Sequence, residues 1–213
     1  MKHLVIIGAG NFGREMYWSA TMSYGYLESF DIKGYIDDLY DTKLEKYKNL
    51  QVPWLGKIDD YNPCEDDVFI CSISDGKTRS KIMEMVKHRG GEFTNLINKT
   101  SMVYGNAKLG IGVFVGPYCD ISDNVTIGDN VSINSHSSVG HDSVINNDTC
   151  IMSYVNITGN CVIGERVFIG SGCKMVPNTK IGDDAYVGIG SVLIRNVKTG
   201  TRVFGNPAKK MDF

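Results

Sequence analysis

The stretch VTIGDNVSINSHSSVGHDSVI, residues 125–145, carries a large aliphatic side chain at every sixth position: Ile127, Ile133, Val139 and Ile145. Followed in both directions, the row runs from Ile97 to Leu193 through seventeen positions, all aliphatic or Met. Four residues after each, the side chain is small or β-branched, as at Ser101, Ala107, Cys119, Val125, Ser137, Ser143, Val155, Cys161, Cys173 and Ala185. No α-helix or hairpin array has this period. A six-residue unit with one large and one small inward side chain describes one flat side of a prism, and three such units close a coil. The spacing therefore predicts a parallel β-helix over residues 97–196, in which residues eighteen apart lie above one another at the strand spacing of roughly 4.8 Å. Gly, Asn and Asp crowd the expected corners, as at Gly128, Asp129 and Asn130, because tight turns need residues that tolerate positive φ. Open prism ends and flat faces call for partners, so an oligomer is expected.

The amino-terminal third has a different grammar. LVIIGAGNFGREMYWSA reads as a buried strand, a glycine turn and a helix, and Gly8, Gly10 and Gly13 match GxGxxG in that context. Backbone amides at such a helix start can meet a phosphate. The run IKGYIDD reads as a second strand ending in Asp37 and Asp38, where an acidic side chain can accept from a ribose hydroxyl or a base edge. DDVFICSIS is a third strand, and the helix KTRSKIMEMVKHRG follows it. The expected organisation is an α/β Rossmann-like domain over residues 1–95, then a β-helix domain with a carboxy-terminal tail over 96–213. A dinucleotide site is disfavoured, because only one of the two mononucleotide-binding halves fits.

Composition narrows the function. With 213 residues the chain has room for two small cores. Lys and Arg total 22 against 24 Asp and Glu, so no basic surplus points to nucleic acid or an anionic membrane. No stretch approaches the roughly 18 apolar residues of a membrane span, and MKHLVIIGAG is too short an apolar run for a signal peptide. The six cysteines form no CxxC pair, and a cytoplasmic protein with reduced thiols is expected. Cys119, Cys161 and Cys173 occupy the small inward place of the repeat, which packing explains without a metal.

The GAGNFGRE turn, the strand ending in IDD, the hexapeptide repeat, the GHD triplet at 140–142 and the VFGNPAKKM tail together resemble the bacterial nucleotide-sugar acyltransferases of the sialic acid O-acetyltransferase and UDP-bacillosamine N-acetyltransferase (NeuD/PglD-like) type. The likeness runs from Met1 to Phe213. It implies a left-handed β-helix, a homotrimer, acetyl-CoA in a groove between neighbouring prisms, and a nucleotide-sugar held by the amino-terminal domain. It implies His141 as general base with Asp142 beside it, and Asn134 near the acceptor sugar. Gly8, Gly10, Gly13, Asp37 and Asp38 would cradle the nucleotide, with Ser74, Asp75, Lys77 and Arg79 lining the next turn. Gly159, directly above His141, would face the thioester arm. Ser171 and Ile189 would continue that wall, and Gly205, Pro207, Ala208 and Lys209 would close over the CoA. Cys150 stands where some relatives carry a second histidine on the cofactor side.

The chemistry fits those residues. Acetyl transfer to an amine or hydroxyl needs a base matched to neutral pH, and histidine, with an unperturbed pKa near 6.5, supplies one. Adjacent strand residues point to opposite faces, so Asp142 is as readily aimed at a neighbouring subunit as at its own His141. His136 is the nearest rival and lacks an acidic neighbour; His3 and His88 read as structural. Two other classes compete. A prism trimer could be a zinc enzyme, although the repeat offers only His136 and His141 as histidine ligands. A non-catalytic nucleotide-binding protein would keep the fold and transfer nothing.

Overall fold

The computed structural model describes residues 1–41, 45–48 and 50–211. The amino-terminal part is a parallel sheet of β1 (Lys2–Ile7), β2 (Phe30–Ile36), β3 (Trp54–Gly56), β4 (Asp67–Cys71) and β5 (Glu92–Phe93), in the order β3-β2-β1-β4-β5. Helix α1 (Asn11–Thr21) links β1 to β2, and α2 (Gly76–His88) links β4 to β5. Leu4, Ile6, Phe69 and Ile70 are fully buried, as expected for central strands covered on both faces. β3 and β5 join the sheet beyond the three strands expected; at three and two residues, neither carries a readable period.

From Leu96 the chain winds as a parallel β-helix of two-residue strands. Its first face stacks six strands, from Met102–Val103 to Val192–Leu193; the second stacks five, from Lys108–Leu109 to Lys180–Ile181. The third stacks eight, from Leu96–Ile97 to the tail strands Arg202–Phe204 and Lys209–Lys210. From Leu96 to Leu193 the ladder pairs are eighteen residues apart, as in Asp120 with Ser138 and Val144 with Val162, and the tail closes the third face with Tyr186 paired to Arg202. The sixth-position aliphatics and their small companions form one core, with Ile121, Ile133, Ile145, Cys161 and Ile163 fully or almost fully buried.

The corners are tighter than their composition suggests. Every sixth residue there has positive φ, and the series includes Tyr118 (57°), His136 (60°), Tyr154 (61°) and Arg166 (54°) as well as Asn and Asp. A non-glycine residue in this region costs roughly 1–2 kcal/mol. Coil-to-coil hydrogen bonds offset that cost: the amides of His136 and Asp142 donate to the carbonyls of Pro117 and Asp123, one coil back.

The two parts are docked through the third face and its two edges. Phe12 of α1 meets Phe114 edge-on at 5.9 Å. A Cβ on Gly76 would lie 2.7 Å from the Arg166 Cα, so α2 starts in backbone contact with the prism. Lys87 pairs with Asp129 at 3.6 Å.

Inward and outward positions should differ sharply in tolerance. Ile157→Ala, at a site 1% exposed, is expected to lower stability by about 2–5 kcal/mol. Val162→Ala, on the outer side of the adjoining second face, should stay within about 0.5 kcal/mol. Denaturant unfolding of both variants checks the difference.

Candidate active site

His141 and Asp142 sit on the edge between the first and second faces. The positive φ of Asp142 (59°) breaks strand alternation and turns its carboxylate back toward its own neighbour. His141 Nδ1 and Asp142 Oδ2 are 2.7 Å apart. One coil earlier, Asn124 donates from Nδ2 to the other carboxylate oxygen at 2.7 Å. These two hydrogen bonds, Asn124 first and His141 second, hold the Asp142 carboxyl below the usual carboxylate range. An ionised Asp142 only accepts, so Nδ1 carries the hydrogen and the Nε2 lone pair is left for an incoming proton. The ring lies over Gly159, where a Cβ would come within 2.6 Å of Nε2. A side chain at 159 would displace the imidazole. Asn124 is the partner that sequence reading missed, and the signal for it was the eighteen-residue stacking.

The second group of residues surrounds the glycine turn. Gly8 has φ of 97°, and a Cβ on Gly13 would lie 2.0 Å from the Gly8 carbonyl oxygen, so both positions exclude side chains. A Cβ on Gly10 would meet nothing within 4 Å. Asp37 accepts from the amides of Ala9 and Leu39, both at 2.6 Å, and Asp38 from Ile58 at 2.8 Å. The two aspartates thus shape the turn as well as border it. Helix α1 opens at Gly10 with no side-chain cap and no acid in its first turn, which leaves amides directed at the open side of the turn. Helix α2 differs: Asp75 accepts from the amide and hydroxyl of Thr78 at 2.8 and 2.7 Å, and these bonds hold its carboxyl below the usual range. Of the two helix starts, α1 is the one fitted to an anion.

The PglD N-terminal domain family matches residues 3–86, and the bacterial transferase hexapeptide family matches 106–141 and 142–176. The chain thus joins a PglD N-terminal domain to bacterial transferase hexapeptide repeats, the two modules of the NeuD/PglD-like resemblance. No curated protein matches it in sequence. Among solved structures, a variant of perosamine N-acetyltransferase from Caulobacter crescentus, in complex with CoA and GDP-perosamine, superimposes with a TM-score of 0.87 at 25% identity, covering 100% of this chain and 98% of its own. The acetyltransferase domain of PglB from Neisseria gonorrhoeae FA1090 has a TM-score of 0.87 at 24% identity, covering 99% of this chain and 100% of its own. WeeI from Acinetobacter baumannii AYE scores 0.85 at 24% identity, with 99% and 100% covered.

Against this family background two expected residues change role. Arg79 is fully buried. Its guanidinium donates to the carbonyls of Cys71 and Ile73 at 3.0 and 2.7 Å, and to the Asn130 carbonyl and side-chain oxygens at 3.1 and 3.0 Å. Its donors are spent on joining the two parts of the chain, and none faces a ligand. Cys150 is likewise fully buried, with Sγ 3.2 Å from the Ser132 hydroxyl. Burial pushes its thiol pKa up, so it offers neither surface nor thiolate to a cofactor.

The remaining expected residues fall into three places. Ser74, Asp75 and Lys77 line a cleft between α2 and the third face. Asn134, 8% exposed, borders a second cleft between α1 and the third face, beside Phe12 and Trp18 rather than beside His141. Ser171 and the 66% exposed Ile189 lie along the edge between the third and first faces. In the tail, the Ala208 amide donates to the Val192 carbonyl at 2.9 Å and Lys209 pairs with Phe204, so Gly205 and Pro207 belong to a turn folded over the last coil. His136 is stacked between Tyr118 and Tyr154 at 4.9 and 4.7 Å, and His3 contacts Asp31 at 2.6 Å. Among the described residues no three His, Cys, Asp or Glu side chains converge as metal ligands.

His141 and the glycine turn are not brought together. The contacts described between the two parts, Arg79 with Asn130, Phe12 with Phe114 and Lys87 with Asp129, run through the third face and its edges, whereas His141 occupies the opposite edge.

The hydrogen bonds to Asp142 have a measurable consequence. Because its folded pKa is depressed, the His141 contact persists above the ordinary carboxylate range and is lost only as pH falls through the lowered value. Asn124→Ala should move the Asp142 titration upward, and carboxyl NMR of wild type and variant reads this directly. An unchanged titration would remove Asn124 from the arrangement.

Proposed function

We propose that the protein is an acetyl-CoA-dependent transferase that acetylates the amine, or the hydroxyl, of a nucleotide-linked sugar, with His141 as general base. The observation that carries this reading is the His141 ring held by Asp142 at 2.7 Å over the bare backbone of Gly159. The PglD N-terminal domain and hexapeptide matches support it, as does the likeness over the full chain to a perosamine N-acetyltransferase solved with CoA and GDP-perosamine.

In this mechanism the sugar nitrogen attacks the thioester carbonyl carbon, a C–N bond forms, and the carbonyl π pair moves to oxygen. Nε2 of His141 takes the proton that the nitrogen loses, and Asp142 stabilises the resulting imidazolium. Collapse of the tetrahedral intermediate breaks the C–S bond. The imidazolium returns its proton to the leaving thiolate, giving CoA and the acetamido sugar. A backbone N–H of the coil wall is the simplest donor to the developing oxyanion.

The assembly we propose is a homotrimer in which the His141 edge of one copy meets the glycine turn of the next. Its support is the placement of the two groups on opposite sides of one chain. Gly159, Ser171, Ile189 and the tail residues Gly205, Pro207, Ala208 and Lys209 then border the space between copies where acetyl-CoA would lie, and Asn134 is assigned to the acceptor-sugar side. None of the helices in the described residues is long and apolar enough to cross a membrane, and we place the reaction in the cytoplasm.

His141→Ala should lower kcat by about 10² to 10⁴, followed as CoA release with UDP- and GDP-linked amino sugars, while nucleotide and CoA binding persist. Undiminished turnover would reject His141 as the base. Sedimentation velocity should give three times the 23.5 kDa chain mass.

A further inference from the structure

Beneath the amino-terminal domain, a cleft of about 380 Å³ separates the start of α2 from the last coils of the third face. Ser74, Asp75 and Lys77 form one wall, and Phe168, Tyr186 and Arg202 of the prism form the other. Three properties define what it can hold. The Phe168 and Tyr186 rings, one coil apart, stack in parallel at 4.9 Å, and Tyr186 remains 45% exposed, so the pair offers open aromatic surface. The lining also carries Lys77, Arg166 and Arg202 against two carboxylates, both already engaged. Asp75 caps α2, and Asp184 accepts from Arg166 Nε at 2.9 Å. Three cations against two carboxylates leave a positive surplus, which Arg202 carries with Lys77 beside it, the latter's charge also acting on Asp75 and Asp184. Finally, the segment that enters the cleft leaves the glycine turn just before it: Ser72, two residues before Ser74, donates its hydroxyl to the carbonyls of Ile7 and Gly8 at 2.7 and 3.0 Å.

Aromatic surface beside unspent cations suits a base joined to a diphosphate, since stacking tolerates any base and the charges meet the phosphates. We infer that the prism itself reads the nucleotide: Tyr186 is the platform for the base, and Arg202 with Lys77 provides the counter-charge to the diphosphate. This rests on the nucleotide-sugar reading above and adds a binding wall from the same chain's β-helix. A capped α2 start is consistent with it, because the cations rather than helix amides meet the charge on this side.

Acetyl-CoA also contains a nucleoside diphosphate, so the test separates the two sources. Full-length protein is titrated calorimetrically with UDP, GDP, CDP and dTDP, and separately with CoA, for wild type, Tyr186→Ala, Tyr186→Phe and Arg202→Ala. The inference predicts that the best-bound diphosphate weakens about tenfold or more in Tyr186→Ala and is restored to within about twofold in Tyr186→Phe. It predicts a loss of about tenfold in Arg202→Ala with a flatter salt dependence, and unchanged CoA affinity throughout. Wild-type diphosphate affinity in both alanine variants would overturn it, and so would a loss that falls on CoA instead. Absence of diphosphate binding in wild type would defeat the nucleotide-sugar reading as well, which is a distinct result.

Discussion

A hydrogen-bond ladder between coils, repeated every eighteen residues, sets the side-chain spacing along the whole β-helix. Once the amide of Gly140 donates to the carbonyl of Ile157, and that of Asn146 to Ile163, the side chains on each edge are stacked at one strand spacing. The same spacing lets Asn124 reach Asp142 and puts Gly159 under the His141 ring. It also stacks Phe168 on Tyr186. The positive φ values at the edges follow from closing a coil in so few residues, and they turn the Asp142 carboxylate toward its own imidazole. A reactive pair therefore arises from a packing rule, with no loop specialised to hold it.

Docking of the amino-terminal sheet is the second constraint. Arg79 crosses from α2 to Asn130, and Asn130 in turn donates to Asp148 at 2.7 Å on the next coil. A buried guanidinium is tolerable only when its donors are satisfied, and here carbonyl oxygens from both parts of the chain supply the acceptors. The geometry admits little play: Gly76 lies against the Arg166 backbone, and Gly13 against Gly8. The orientation of the glycine turn over the third face is thus part of the same packed body as the β-helix.

Much of this was legible in the sequence because the period is strict. The inward row from Ile97 to Leu193, the coil length and the strand–turn–helix at Gly8–Gly13 all follow from spacing alone. The short strands β3 and β5 escaped notice because two or three residues carry no period. Edge residues such as Tyr118, His136 and Arg166 escaped because they lack the glycine, asparagine or aspartate signature, their conformation being imposed by the coils on either side. Arg79 and Cys150 were misassigned for one shared reason. Each has the chemistry of a binding residue, but its burial is decided by contacts between the amino-terminal domain and the prism, which no local pattern records. The orientation of Asp142 likewise depends on the φ of its own residue, which strand alternation does not supply.

In the proposed homotrimer one chain holds only half of a working site, and the missing half comes from its neighbour. A complementation experiment tests it most directly. His141→Ala removes the base, and Gly10→Glu places a carboxylate at the open start of α1, where the added side chain meets no atom within 4 Å at its Cβ. Each variant alone should be inactive. Co-expressed in equal amounts, they should regain about a quarter of wild-type activity, the fraction of heterologous contacts in a closed ring that pair an intact base with an intact turn. Mixed assemblies no more active than their parents would contradict the account.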